Sequence, residues 1–533
     1  MAKPRKQKKT KKRAPQDAKP EVASSESKPL DPALLGFLGV SVALVSVRWY
    51  AARHVGFGDS EALYACYALH PAPAYLDHPG FVGQLARGIA GEDTPTPYSI
   101  HSVTAVLATA LPWLLNIVAR RLGATQRAAL IAALLFAVVP VIAVGLFAIT
   151  PDLPLAFAWL STLGFAGAAL EAEPKSARAA AFFLGAGVMA GVASSSKATG
   201  ALLLLSLPVV YLTAGGEAAK HRRTIWPWLG LACAAVVLAP IISFEANAHW
   251  PMLHHRLVDT QEGAGFSPRN LLATLAGQFL YLSPVVAVLV VVVARDLFKR
   301  RKDDAIATLL FWTFALPFAA LLALCLWSRV AEPHWLAPPM LALVLHAARR
   351  VKAEEPSPWP RRLVIGSIAS GALFTAFVHW WVLSPTSASM FPKSVDPKAN
   401  IATELYGWDD VLRETDQTLQ EESFVEDAAH PKSVWVVGPH WVICAQLAAG
   451  MPTAHVGCAQ DKTDFEDWAP RKDWEQADEI VFVTDNRFEG PDYTEEKLFP
   501  AFAEVRSQRV SVVRGGGIAR TFRVIVLERR AKV

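Results

Sequence analysis

Runs of about twenty apolar residues, separated by short polar connections, recur through most of this chain. A helix needs roughly 20 such residues to cross about 30 Å of hydrocarbon, where only helices and closed barrels satisfy their own backbone. The runs lie near 34–52, 99–119, 128–149, 153–170, 179–195, 198–214, 225–244, 271–294, 305–327, 334–348 and 363–383, which predicts about eleven transmembrane helices. Composition agrees: 53% of the 533 residues are hydrophobic and 19% charged, where soluble chains carry about 25% charged residues. That balance argues against a soluble enzyme, a disordered scaffold or a nucleic-acid binder. The chain reads as a polytopic α-helical membrane protein.

The net charge of +5 is unevenly spread. Residues 3–13 read KPRKQKKTKKR, and the connections at 120–127, 171–178, 215–223, 295–304 and 349–362 are basic. By the positive-inside rule these belong in the cytoplasm with the N-terminus. The alternate connections (57–64, 149–154, 194–200, 245–250 and 329–335) concentrate acids, histidines, tryptophans and single cations beside apolar runs. An ionisable group at a membrane edge must be solvated or paired, which makes it a functional candidate. Three parts follow: a polar, basic cytoplasmic tail over 1–33, read as disordered; a transmembrane region over 34–383 with a long outer loop at 53–98; and an extracytoplasmic region over 384–533.

The last region changes character. VWVVG (434–438), EIVFVTD (479–485) and FRVIVLE (522–528) read as buried strands, and 443–450 and 495–508 as helices between them. The alternation predicts a small α/β domain, with Gly515 to Gly517 as a turn between strands. Cys444 and Cys458 share this region. A disulfide in an oxidising compartment and two buried thiols both fit.

The outer loop is the richest segment. FGDSEALYACYALH (57–70) starts a helix with Asp59 and Glu61 at its positive end, and Leu63, Tyr64 and Tyr67 line an apolar face suited to the membrane surface. Capping accounts for Asp59 or Ser60 alone. YLDHPG (75–80) then sets Asp77 and His78 before a proline.

FGDSEALYACYALH followed by LDHP resembles the first outer loop of GT-C membrane glycosyltransferases, nearest to protein O-mannosyltransferases and lipid A aminoarabinose transferases. ITPDLPLAFAW (149–159) resembles that family's second acidic turn, with Asp152 as its carboxylate. SSSKATG supplies Lys197 in a lysine-bearing turn, and VAEPHWLAPPML supplies His334 and Trp335. TELYGWDDVL (403–412) and 445–468 resemble the soluble tail of bacterial members. The family has adjacent Asp-Glu where this chain reads Asp-Ser-Glu, so Glu61 matches less well than Asp59.

The resemblance implies a GT-C architecture in the bacterial cytoplasmic membrane. It also implies transfer of one sugar, with inversion, from a polyprenyl-phosphate donor to a lipid, glycan or protein acceptor on the outer face. Asp59 would take the acceptor proton and Asp152 would orient a substrate. His78, Lys197 and Arg329 would face the phosphate as fixed cations. Glu61, Asp77, His334 and Trp335 would bind substrate. No metal and no other cofactor is expected, although three carboxylates suit a divalent cation. No P-loop pattern appears, which fits a lipid-linked donor. A transporter of lipid-linked sugar and a non-catalytic envelope assembly factor are the alternative readings.

Overall fold

The computed structural model describes residues 31–328, 332–390, 400–423, 433–460 and 464–530. The expected disordered tail lies almost wholly outside them, as does Arg329. Seven described helices are long and apolar enough to cross a membrane, and up to ten spans result if each of three bent pairs is one span. The expected count of eleven is therefore not matched. The run at 334–348 folds as a tight turn, Pro333–Leu336, and a helix, Ala337–Arg349, whose 13 residues are too few to cross alone. The run at 271–294 breaks into Pro268–Tyr281 and Pro284–Arg300, bent by 111°. Pro284 lacks the N–H that would continue the ladder, and Ser283 before it has φ 78°.

A second bend, of 77°, separates Gln126–Ala137 from Pro140–Phe147. A break among packed helices leaves carbonyls without donors, and Arg48 of the Pro32–Ala52 helix supplies them. Its guanidinium donates to Ala143 O (2.8 and 3.0 Å), Ile142 O (3.2 Å) and Thr109 Oγ1 (2.7 Å). Elsewhere small residues let helices approach closely. Ala177–Ser196 and Trp226–Asn247 cross so tightly that a Cβ on Gly187 would lie 1.7 Å from Gly230 O.

The connections sort onto two faces. Arg121 pairs with Glu171, Arg349 with Asp304, His221 meets Ala172 O, and Arg349 donates to Leu122 O, so the basic connections join one another. The acidic and histidine-rich connections meet at the opposite end of the bundle, where the C-terminal domain also sits.

That domain holds a five-stranded sheet in the order β2-β1-β3-β5-β4. The strands are β1 (Val434–Gly438), β2 (Val456–Cys458), β3 (Glu479–Asp485), β4 (Phe502–Arg514) and β5 (Gly517–Arg529). β1 runs parallel to β2 and β3, while β5 is antiparallel to β3 and β4. The helix expected over 495–508 is replaced by one turn, Glu495–Leu498, and β4. From Arg506 to Arg514 successive residues alternate between sheltered and exposed, the period of a strand, and the Gly515-Gly516 turn at φ 60° and 80° returns the chain as β5. Cys444 and Cys458 form a disulfide that ties Trp441–Gly450 to β2.

Candidate functional site

The Asp59–Leu69 helix follows Gly58, and Glu61 in its first turn holds the entry. Glu61 Oε2 accepts the Gly58 N–H (2.9 Å), and Oε1 accepts the Ile149 N–H (2.8 Å) and meets His101 Nε2 at 2.9 Å. Both oxygens are thus engaged by the protein itself, and they fix the first acidic turn against the second. Glu61 to Ala68 are all buried, so this helix does not present one face to a membrane surface as its pattern suggested. It is enclosed because the Trp441–Gly450 helix of the C-terminal domain packs on it, with Gln446 donating to Phe57 O (2.7 Å).

Asp59 and Asp152 line one cavity of about 400 Å³, together with Glu61, Glu404, Tyr281 and His334. The two aspartates are held differently. Asp59 Oδ2 pairs with Arg487 Nη1 at 2.6 Å, and Arg487 leans on Asp485 at 3.0 Å. Asp485 is fully buried and is also gripped by Arg520. The cation on Asp59 therefore comes from the loop after β3. Asp152 begins the Asp152–Glu171 helix, and Lys197 Nζ meets its two oxygens at 3.0 and 2.8 Å. His334 Nε2 lies 3.3 Å from that Nζ and 3.8 Å from Asp152 Oδ2, with the Tyr281 ring stacked on it.

Asp77 and His78 sit just behind. Arg256 donates to Asp77 O at 2.9 and 2.6 Å and pairs with its carboxylate at 3.1 Å, while His255 lies 3.6 Å away. Burial pushes the Asp77 carboxyl up, but the His255 hydrogen bond and the Arg256 charge outweigh it and hold the group at about 2. His78 was expected as a fixed cation; instead burial, followed by the charges of Arg256 and Lys197, drives its imidazole well below its usual range. Its Nδ1 is buried without a partner.

The structure thus brings Asp59, Glu61, Asp152, Lys197 and His334 together, with Asp77 and His78 adjoining. Trp335 does not join them and packs against the hydrophobic core of the bundle. Sequence reasoning missed Arg487, Glu404, Arg256 and His101. Glu404 lies in a segment already singled out by resemblance, and Arg487 follows the C-terminal end of a readable strand. Arg256 and His101 carry no local signal. Among the described residues no group of three or more His, Cys, Asp or Glu is placed to hold a metal ion.

The arrangement offers carboxylates that line one pocket at an end of a helical bundle, and a lysine, bonded to one of them, that could meet an anion. Residues 88–244 match the model of the dolichyl-phosphate-mannose-protein mannosyltransferase family. No curated protein matches the chain by sequence. Among solved structures, apo ArnT from Cupriavidus metallidurans superposes with a TM-score of 0.60 at 15% identity, over 93% of this chain and 98% of that one. The same protein bound to undecaprenyl phosphate gives 0.58 at 16% identity, over 92% and 98%. The Archaeoglobus fulgidus oligosaccharyltransferase, tethered to an acceptor peptide, gives 0.50 at 13% identity, over 88% and 71%. This chain therefore has the GT-C fold of multi-pass membrane glycosyltransferases, in the form that resembles lipid A aminoarabinose transferase and protein O-mannosyltransferase.

Proposed function

We propose that this protein is an inverting glycosyltransferase. It moves one sugar from a polyprenyl-phosphate donor to a lipid, glycan or protein acceptor on the outer face of a bacterial cytoplasmic membrane. The observation that carries the reading is the pair of ion-paired carboxylates, Asp59 and Asp152, facing one cavity of about 400 Å³ with Lys197 between Asp152 and His334. The undecaprenyl phosphate bound by the ArnT of like fold supports a polyprenyl-phosphate donor.

In this reading the acceptor oxygen attacks the anomeric carbon from the face opposite the phosphate. The O–H bond breaks toward Asp59 as the new C–O bond forms. The old C–O bond breaks with its electron pair leaving on the phosphate. A carboxylate within hydrogen-bond reach contributes by drawing off the proton as the nucleophile forms. The leaving phosphate gains charge, and a preorganised cation at that position contributes most in a site shielded from water. Lys197 is that cation. Asp152 keeps the Lys197 ammonium in place before the donor arrives, and His334 flanks both. No metal enters this scheme.

The basic connections and the tail then face the cytoplasm, and the sheet domain lies outside with the site. The test is a mass comparison of envelope lipids and glycoproteins from cells lacking the gene and cells with it restored. One sugar-sized mass lost on deletion and regained on restoration supports the transferase and identifies the acceptor. An unchanged product set, with lipid-linked sugar accumulating on one leaflet, supports transport instead.

A further inference from the structure

Beside Asp59 stands a carboxyl that the scheme above does not use. Glu404 ends the short Ile401–Glu404 helix, in the segment leading from the last long helix to the sheet domain. That segment is pinned to the acidic loop by the Gly56 N–H, which donates to Leu405 O (2.8 Å), and is braced within itself by Trp408 Nε1, which donates to Glu404 O (2.8 Å). Both Glu61 and Glu404 reach the turn at Gly58: a methyl built there would lie 3.4 Å from Glu61 Oε2 and 3.6 Å from Glu404 Oε1, ordinary contact distances.

The oxygens of Asp59 are unequally served. Oδ2 takes Arg487, whereas Oδ1 is buried with no donor. The Glu404 carboxyl opens on the same cavity as Asp59, and its Oε1 lies 3.6 Å from where a side chain on the adjacent Gly58 would begin. Two carboxylates facing each other repel, and each has only acceptors to offer. One proton between them removes the repulsion and supplies the missing donor. Arg487 pairs with Asp59 at 2.6 Å, which favours the shared proton on Glu404.

We propose that Glu404 is a positioning residue that holds a proton against Asp59, so that the two carboxyls act as a singly protonated pair whose ionised member faces the acceptor. The proposal rests on the transferase reading for its catalytic meaning, though not for the proton itself. When Asp59 accepts the acceptor proton the pair holds two protons, and one leaves to water through the cavity. The charged and titratable groups facing Glu404 are Asp59, Glu61 and Arg487. Behind them stand His101 on Glu61 and Asp485 on Arg487, with Asp152, His334, Tyr281, His379 and Arg48 around the cavity wall. Burial and then the Asp59 charge push the Glu404 carboxyl up to about 8.

The test uses the full chain in lipid nanodiscs, with the infrared carbonyl stretch of protonated carboxyls followed as pH is raised. Wild type is expected to show a protonated carboxyl at pH 7 that disappears with a midpoint near 8 and is missing from Glu404→Gln. Glutamine keeps a donor toward Asp59, so the variant retains the fold. In Asp59→Asn the neighbouring charge is gone, and the Glu404 midpoint falls by about one pH unit or more. Where product formation is followed as well, wild-type transfer declines above pH 8 as the pair loses its proton, and Glu404→Gln lacks that limb. Identical carbonyl signals in wild type and Glu404→Gln at pH 7, or an Asp59→Asn midpoint that does not fall, overturn the proposal. A carboxyl signal that behaves as expected in a protein that transfers nothing overturns the transferase reading and leaves the pair standing.

Discussion

Asp59 and Asp152 share one cavity yet belong to different parts of the molecule. Asp152 is held by Lys197 and His334, which come from neighbouring turns of the helical bundle, and 22% of its side chain remains open to the cavity. Asp59 is held by Arg487, which lies 428 residues away, and a further buried Asp485–Arg520 pair anchors that arginine. One carboxylate is built by the bundle alone. The other is completed only when the sheet domain docks. The bundle alone fixes Asp152 beside Lys197, whereas the docked domain supplies the cation that pairs with Asp59.

Substitutions on the two sides should separate these roles. Arg487→Met strips the cation from a buried carboxylate and should destabilise the protein most, by about 3–5 kcal/mol, read as a lower unfolding temperature in nanodiscs. Lys197→Met should cost less stability, because Asp152 keeps solvent and His334 nearby, but should lower transfer about 10²–10³-fold. Equal loss of stability in the two variants would erase the distinction between the sites.

The disulfide sharpens the comparison from another direction. It stiffens the Trp441–Gly450 helix, whose Gln446 holds Phe57 O and whose Ala445 O accepts the Cys66 thiol at 3.4 Å. Closing a loop of this size contributes about 3 kcal/mol in the chain-entropy account. Cys444→Ser with Cys458→Ser should therefore loosen the Asp59 side, measured as faster hydrogen exchange over 57–70, while exchange around Asp152 stays as it was. The smallest effect is expected at Asp464, which accepts the Tyr67 hydroxyl and the Leu76 N–H, each at 2.8 Å, across the same docking surface. Burial pushes its carboxyl up to about 6. A raised carboxyl binds its proton more tightly in the folded state, so stability falls as pH rises from about 4 to 6 and is level above that. Asp464→Asn should flatten the change in unfolding temperature across that interval.

What the sequence revealed follows the same divide. Lys197, Asp152 and His334 were readable because each sits in a short turn at the end of an apolar run, and the alternation of basic and acidic turns sorted them to one face. The sheet domain was readable in part: VWVVG and EIVFVTD are continuous apolar strands, but FAEVRSQRVSVVR carries too many charges to declare its period and was taken with the preceding helical turn. Arg487 and Glu404 were not readable as partners of Asp59. Their contact depends on how the domain docks, which no local periodicity encodes. The burial of the Asp59–Leu69 helix was missed for that reason too. An apolar stripe shows that a helix needs a cover but does not say whether lipid or protein supplies it.

The central claim is that Asp59, completed by the docked domain, receives the proton during sugar transfer. It is tested most directly by measuring product mass with Asp59→Asn in place of wild type, at matched protein level and with docking confirmed by hydrogen exchange over 57–70. The account predicts that the sugar-sized mass is formed at least about 10²-fold more slowly while the domain stays docked. Product formed at the wild-type rate would contradict it and remove Asp59 from the chemistry.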